Sequence, residues 1–172
     1  MKKMIAVAAV ATISLAQISA AQALDLTAAV GRTGESTTTY RIAGQMDFNR
    51  SWFDSGVGRL TGYWDAGYTY WEGKKSSSNH SISLAPVFVY EFRGESVRPY
   101  LEAGIGVAAF EHTQVEGNKM GSSFQFEDRL GAGLRFAGGH EVGVRAIHYS
   151  NAGIKKPNDG IESYAVHYRV SF

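Results

Sequence analysis

His148, Ser150 and Glu162 are the residues whose types and spacing can carry chemistry in this chain. A serine hydroxyl is a weak nucleophile until a neighbouring base removes its proton. Histidine can take that proton near neutral pH and return it to a leaving group. A carboxylate on the far side of the ring fixes the imidazole tautomer and stabilises the imidazolium. His148-Tyr149-Ser150 reads as strand, and residues two apart on a strand share a face with Cα atoms about 6.8 Å apart. That spacing lets a Ser150 hydroxyl approach a His148 ring nitrogen. The chemistry of such a trio is acyl transfer, and it is recognised by geometry rather than by the order of residues along the chain.

The elements that must position these side chains are strands, because the dominant hydrophobic period is two. Eight stretches alternate: Leu24 to Val30, Tyr40 to Phe48, Leu60 to Tyr70, Ile82 to Phe92, Leu101 to Ala109, Leu130 to Phe136, Val142 to Ala146 and Tyr164 to Phe172. The intervening positions are small or polar and carry both signs of charge, among them Asp65, Glu91, Glu102, Glu127, Arg129 and Arg145. The pattern predicts an all-β fold, an eight-stranded antiparallel barrel.

Residues 1–23 stand apart from this pattern. Met1-Lys2-Lys3 is a positive start, Met4 to Ala16 an apolar run, and Ala21-Gln22-Ala23 a small-x-small cleavage site. These are the parts of a secretory signal peptide, leaving 24–172 as one barrel domain. The formal charge of +1 falls to −1 once Lys2 and Lys3 are set aside, so no basic excess points to nucleic acid. The chain has no cysteine, which excludes disulfides, thiolate metal sites and a thiol nucleophile. With 20 glycines, 21 aromatic residues and 3 prolines, it suits a curved sheet lying in an interface.

Alternation alone does not say which face points inward, and a secreted soluble barrel would satisfy it too. Three features favour a transmembrane outer-membrane barrel. Connections alternate between short (53–57, 93–96, 137–140) and long (72–80, 113–122, 151–160), as periplasmic turns and outer loops do. Aromatic residues gather at strand ends, as in interface girdles: Trp52 and Phe53, Tyr68 to Trp71, Tyr90 and Phe92, Phe124 and Phe126. The chain closes on Tyr168-Arg169-Val170-Ser171-Phe172, which resembles the signal read by the outer-membrane barrel assembly machinery. A barrel of eight strands is filled by its own side chains, so the mixed charges are expected as a hydrogen-bonded plug. Pro86 and Asp128 interrupt the pattern, and a bulge at each would accommodate them.

Parity then places His148 and Ser150 with Val142, Val144 and Ala146 on the lipid face, and Glu162 on the face of Tyr164, Val166 and Tyr168. With both ends periplasmic, all three lie at the outer ends of neighbouring strands. A single His or Ser near a strand end is commonly decoration, but three such groups on the lipid side of one hairpin point to a site. Near the interface their cost is only about 0–1 kcal/mol, so cost does not decide the matter.

His148-Tyr149-Ser150-Asn151-Ala152-Gly153, followed by Asn158 and Glu162 before a terminal Phe, resembles the lipid A 3-O-deacylases of the PagL family. The resemblance covers the whole mature chain. It implies Ser150 as nucleophile, His148 as base and Glu162 as orienting acid. It further implies hydrolysis of the 3-position ester of lipid A in the outer leaflet, release of a 3-hydroxy fatty acid, and no metal or organic cofactor. Oxyanion donors are sought among Asn151, Asn158 and the backbone N–H of Gly153, though a turn glycine and a loop-capping Asn are the commoner fates of such residues. Phe126 resembles a family aromatic near the site, and an interface girdle explains it equally.

Arg32, Arg41, Lys155 and Lys156 are placed near the outer rim, where they would meet lipid A phosphates or simply be solvated. His80, His112, His140 and His167 have no metal-ligand spacing. Two other functions fit a small barrel: a non-catalytic adhesin or anchor, and a lipid acyltransferase with an interior hydrocarbon pocket. A homodimer is compatible with the sequence.

Overall fold

The computed structural model describes residues 24–172, so the expected signal peptide, 1–23, lies outside the described residues. Eight long strands form a closed antiparallel barrel: β1 (Asp25–Thr33), β2 (Thr38–Asp47), β3 (Gly58–Trp71), β4 (Asn79–Phe92), β5 (Val97–Phe110), β8 (Phe124–Phe136), β9 (His140–Ser150) and β10 (Ile161–Val170). Each pairs with its sequence neighbour among these eight, and β1 closes on β10. Closure leaves no edge, which backbone polar groups require in hydrocarbon. Two short strands, β6 (Gln114–Val115) and β7 (Asn118–Lys119), form a separate hairpin in the β5–β8 connection.

The apolar stripes face outward. Ile42, Ile82, Ile105, Leu130 and Val166 are each more than 60% exposed, whereas Asp65, Glu127, Arg129 and Arg145 are buried in the lumen. The lumen is a network of charges. Arg129 donates to Asp65 (2.9 Å) and Glu127 (2.5 Å), and Arg41 pairs with Asp65. Arg145 donates to Glu102 (2.5 Å), which also accepts the Tyr63 hydroxyl (2.6 Å). Nearer the periplasm Arg135 bridges Glu91 and Glu141, and Tyr100 and His167 meet Glu141. Buried charge survives only when paired in this way. Arg41 is therefore not a rim residue. Parity on β2 points it inward, where it is 6% exposed, and the expectation of phosphate contact is corrected.

Three other expectations change. The β2–β3 connection runs over residues 48–57, longer than the expected turn, because Phe48 and Trp52 fold onto β3, where Phe48 packs edge-on against Trp52, Trp64 and Phe88 in an aromatic girdle. Pro86 needs no bulge: β4 and β5 keep one register on either side of it, Leu84 with Val107 and Val87 with Gly104. Asp128 needs none either. The β8–β9 ladder runs one to one from Phe126–Ser150 to Phe136–His140, and Asp128 is exposed on the lipid face.

Candidate active site

The outer ends of β8, β9 and β10 carry the site. In the ladders, His148 lies opposite Glu162 on β10 and Asp128 on β8, and Ser150 lies opposite Phe126. Period two puts the row Asp128–His148–Glu162 and the next row, Phe126–Ser150, on one outward face. Inward-pointing neighbours lock the backbone beneath them. Ile147, Tyr149 and Ile161 are at most 4% exposed and pack with Trp71, Phe110, Val115 and Met120 in one apolar cluster that closes the outer mouth.

His148 Nδ1 lies 2.8 Å from Glu162 Oε1, with the two side chains 41% and 48% exposed. An ionised carboxylate only accepts, so the hydrogen bond places the proton on Nδ1 and leaves the lone pair on Nε2. That is the tautomer a general base needs. Ser150 is half-buried on the same face, two residues on. The hydrogen bonds among the described residues join His148 to Glu162 and do not include one between His148 and Ser150; such contacts commonly tighten only around bound substrate.

The 151–160 loop folds back over this corner. The Asn151 side chain is buried, and its Nδ2 donates to the backbone carbonyls of Met120 and Lys155, both at 2.7 Å. Its backbone N–H donates to Asn158 Oδ1 at 3.0 Å, which turns the Asn158 amide so that Nδ2 is the free end. Gly153 stands exposed at the tip of a turn closed by the Ile154 N–H to the Asn151 carbonyl, 3.0 Å. The Phe126 ring packs edge-on against Phe124 with centroids 5.2 Å apart. Arg32 is exposed on β1 opposite Tyr164, on the lipid face one strand from Glu162, and Lys155 and Lys156 are exposed in the loop.

Below His148, toward the periplasm, an open groove of about 640 Å³ runs along the barrel wall. Phe88, Ala103, Ile105, Leu130, Ala146 and Tyr164 wall it, and Asp128, His148 and Glu162 stand at its edge. Asp128 was not legible as a site residue. The signal was present as a charge interrupting an apolar face at the ladder position beside His148, where it forms no ion pair among the described residues.

Residues 37–171 match the family model described as Lipid A 3-O-deacylase (PagL). The chain is 58% identical over 171 residues, 99% of both chains, to the lipid A deacylase PagL of Pseudomonas aeruginosa. It is 37% identical over 123 residues, 70% of this chain and 67% of the relative, to the lipid A deacylase PagL of Bordetella bronchiseptica. The crystal structure of the outer membrane enzyme PagL superposes with a TM-score of 0.83 at 61% identity, covering 86% of this chain and 99% of that one.

Proposed function

The chain belongs to the lipid A 3-O-deacylase (PagL) family and is an outer-membrane enzyme of that activity, and we propose that it works as a serine hydrolase whose machinery stands on the lipid-facing wall of the barrel. Ser150 is the nucleophile, His148 the general base and Glu162 the group that orients it. The observation that carries the reading is the 2.8 Å contact between His148 Nδ1 and Glu162, which directs a basic Nε2 to the face that bears Ser150.

The reaction runs in two halves. Ser150 Oγ attacks the carbonyl carbon of the 3-O ester while His148 Nε2 takes the hydroxyl proton. The tetrahedral intermediate collapses as the sugar oxygen leaves, and His148 returns the proton to it, so the acyl chain remains on Ser150. Water, deprotonated by the same nitrogen, then attacks the acyl-serine; Ser150 Oγ leaves and takes that proton back from His148, which releases the 3-hydroxy fatty acid and restores the free serine. The developing oxyanion needs preorganised donors. Asn158 Nδ2 and the Gly153 N–H are the pair we assign, because the Asn151 amide hydrogens are already committed to backbone carbonyls.

The substrate is itself an outer-leaflet lipid, and the groove below His148 offers its acyl chain an apolar wall. Asp128 is an acceptor at the groove's edge, suited to the hydroxyl of a 3-hydroxyacyl chain. Phe126 shields the ester beside Ser150. Arg32, Lys155 and Lys156 suit lipid A phosphates at the rim. The paired charges filling the lumen weigh against an acyltransferase that would need hydrocarbon space inside.

Mass spectrometry of lipid A from cells expressing the protein and Ser150→Ala tests the reading. Loss of one 3-hydroxyacyl chain with the unaltered protein alone supports it. Loss with both removes Ser150 from the mechanism.

A further inference from the structure

The loop that carries Asn158 is held from outside the barrel wall. Its anchor is the β6–β7 hairpin, which belongs to a different connection, and two contacts make the attachment. The Lys119 N–H donates to Asp159 Oδ2 at 2.8 Å, and the Asp159 N–H donates back to the Lys119 carbonyl at 3.1 Å. This reciprocal pair clips the residue after Asn158 to β7. The second contact is steric. Gly121 has φ +71°, and a Cβ there would run into the Pro157 carbonyl, the peptide that leads directly into Asn158, and would lie 2.9 Å from the Lys155 carbonyl.

Met120, between them, is fully buried in the cluster that holds Ile147 and Ile161, the inward neighbours of His148 and Glu162. One hairpin thus touches both the strand ends that carry the triad and the loop that carries the oxyanion amide. The geometry has no slack on the other side of the loop. At Gly160, φ +69°, a Cβ would come within 2.9 Å of His148 Cε1.

We infer that the β6–β7 hairpin belongs to the catalytic apparatus, with Asp159 and Gly121 as positioning residues that set the Asn158 amide relative to His148. The inference rests on the assignment of Asn158 as an oxyanion donor. Positioning errors of an ångström far from the chemistry can lower a rate by about 10²-fold, and an oxyanion donor accounts for about 10²–10³ in kcat. The hairpin acts on the rate of the chemical step and not on lipid binding, because none of its residues lines the groove.

The test uses the full-length protein refolded in detergent, with lipid A in mixed micelles as substrate. Variants are Gly121→Ala, Asp159→Ala and Asp159→Asn, with Ser150→Ala as control. Barrel folding is checked by heat-modifiable migration, and kcat is expressed per site titrated to completion with a fluorophosphonate. Asp159→Ala and Gly121→Ala are expected to lower kcat about 10–100-fold with KM within about twofold, and to slow fluorophosphonate labelling in parallel. Asp159→Asn keeps an acceptor for the Lys119 N–H and is expected to recover most of the rate. Unchanged kcat in folded Asp159→Ala and Gly121→Ala overturns the inference. So does a loss confined to KM, or one that disappears when kcat is counted per titrated site. If Ser150→Ala remains active, the site assignment itself fails and the hairpin result is read separately.

Discussion

Glu162 sits directly opposite His148 in the β9–β10 ladder, and that register brings its Oε1 to 2.8 Å from the ring Nδ1. No loop is needed to bring the pair together. Cross-strand neighbours on one face lie within about 4.5–5.5 Å at Cβ, so strand pairing itself orients the base. A one-residue slip would turn every one of these side chains into the lumen.

Glu162→Gln should therefore leave the barrel intact and damage the chemistry. The amide can present an N–H to Nδ1 and favour the wrong tautomer. A fall in kcat of about 10²–10⁴-fold is expected, measured as fatty acid release from micellar lipid A. A rate within a few-fold of the unaltered protein would remove Glu162 from the mechanism.

The two asparagines should separate by what they lose. Asn158→Ala is expected to lower kcat about 10²–10³-fold, with only a small loss of loop stability from the single acceptor it offers the Asn151 N–H. Asn151→Ala strips the bonds that its Nδ2 makes to the Met120 and Lys155 carbonyls, and its first effect should be on the loop, seen as faster proteolysis near residues 151–160. Equal kinetic and proteolytic profiles for the two variants would contradict this division.

Asp128 should govern which acyl chain is accepted. Asp128→Ala is expected to reduce the preference for 3-hydroxyacyl esters over unhydroxylated esters of equal length by about tenfold, the effect of roughly one hydrogen bond to a charged group. Competition between the two esters in the same micelle gives the ratio directly. An unchanged ratio would assign the carboxylate no role in selectivity.

The outer loops should loosen in acid. Glu116 accepts the backbone N–H groups of Lys74 and Lys75, and these bonds hold its carboxyl below the usual value of 4.5. Because the folded value is depressed, the stabilisation is complete above the ordinary carboxylate range and is lost as pH falls through the lower, folded value. Proteolytic nicking at 73–78 by an acid-active protease should rise below about pH 4, and Glu116→Gln should remove most of that dependence. A pH-independent profile in the unaltered protein would exclude the clamp.

The lumen should be intolerant of single cuts. Arg129 is fully buried between Asp65 and Glu127. Arg129→Ala leaves the buried Glu127 without an ion-pair partner and Asp65 with Arg41 alone, and is expected to cost about 3–5 kcal/mol, read from urea unfolding in lipid vesicles, while Lys155→Ala should stay within about 0.5 kcal/mol.

The barrel and the triad were legible because both depend on parity. Alternation named the outward face, and the ladder then carried His148 and Glu162 to one height. Asp128 breaks the same alternation and suggests a bulge, since a lone carboxylate on an apolar face looks like a register defect until its neighbour is known. Arg41 shows the reverse case: parity already pointed it inward, and proximity to the rim was the weaker argument. The β6–β7 hairpin was invisible because two-residue strands have no period to read. The division of labour between Asn151 and Asn158 was equally closed to sequence, because it depends on which carbonyls lie within reach of each amide.

Some ion pairs of the lumen join strands that are not neighbours. Arg129 on β8 reaches Asp65 on β3, and Arg145 on β9 reaches Glu102 on β5 and, through its hydroxyl, Tyr63 on β3. Such struts brace the cylinder across its diameter, as spokes brace a rim. Lateral pressure from the surrounding bilayer then has little freedom to flatten the cross-section. The working surface on β9 and β10 thus stands on a wall that is braced from within the cylinder.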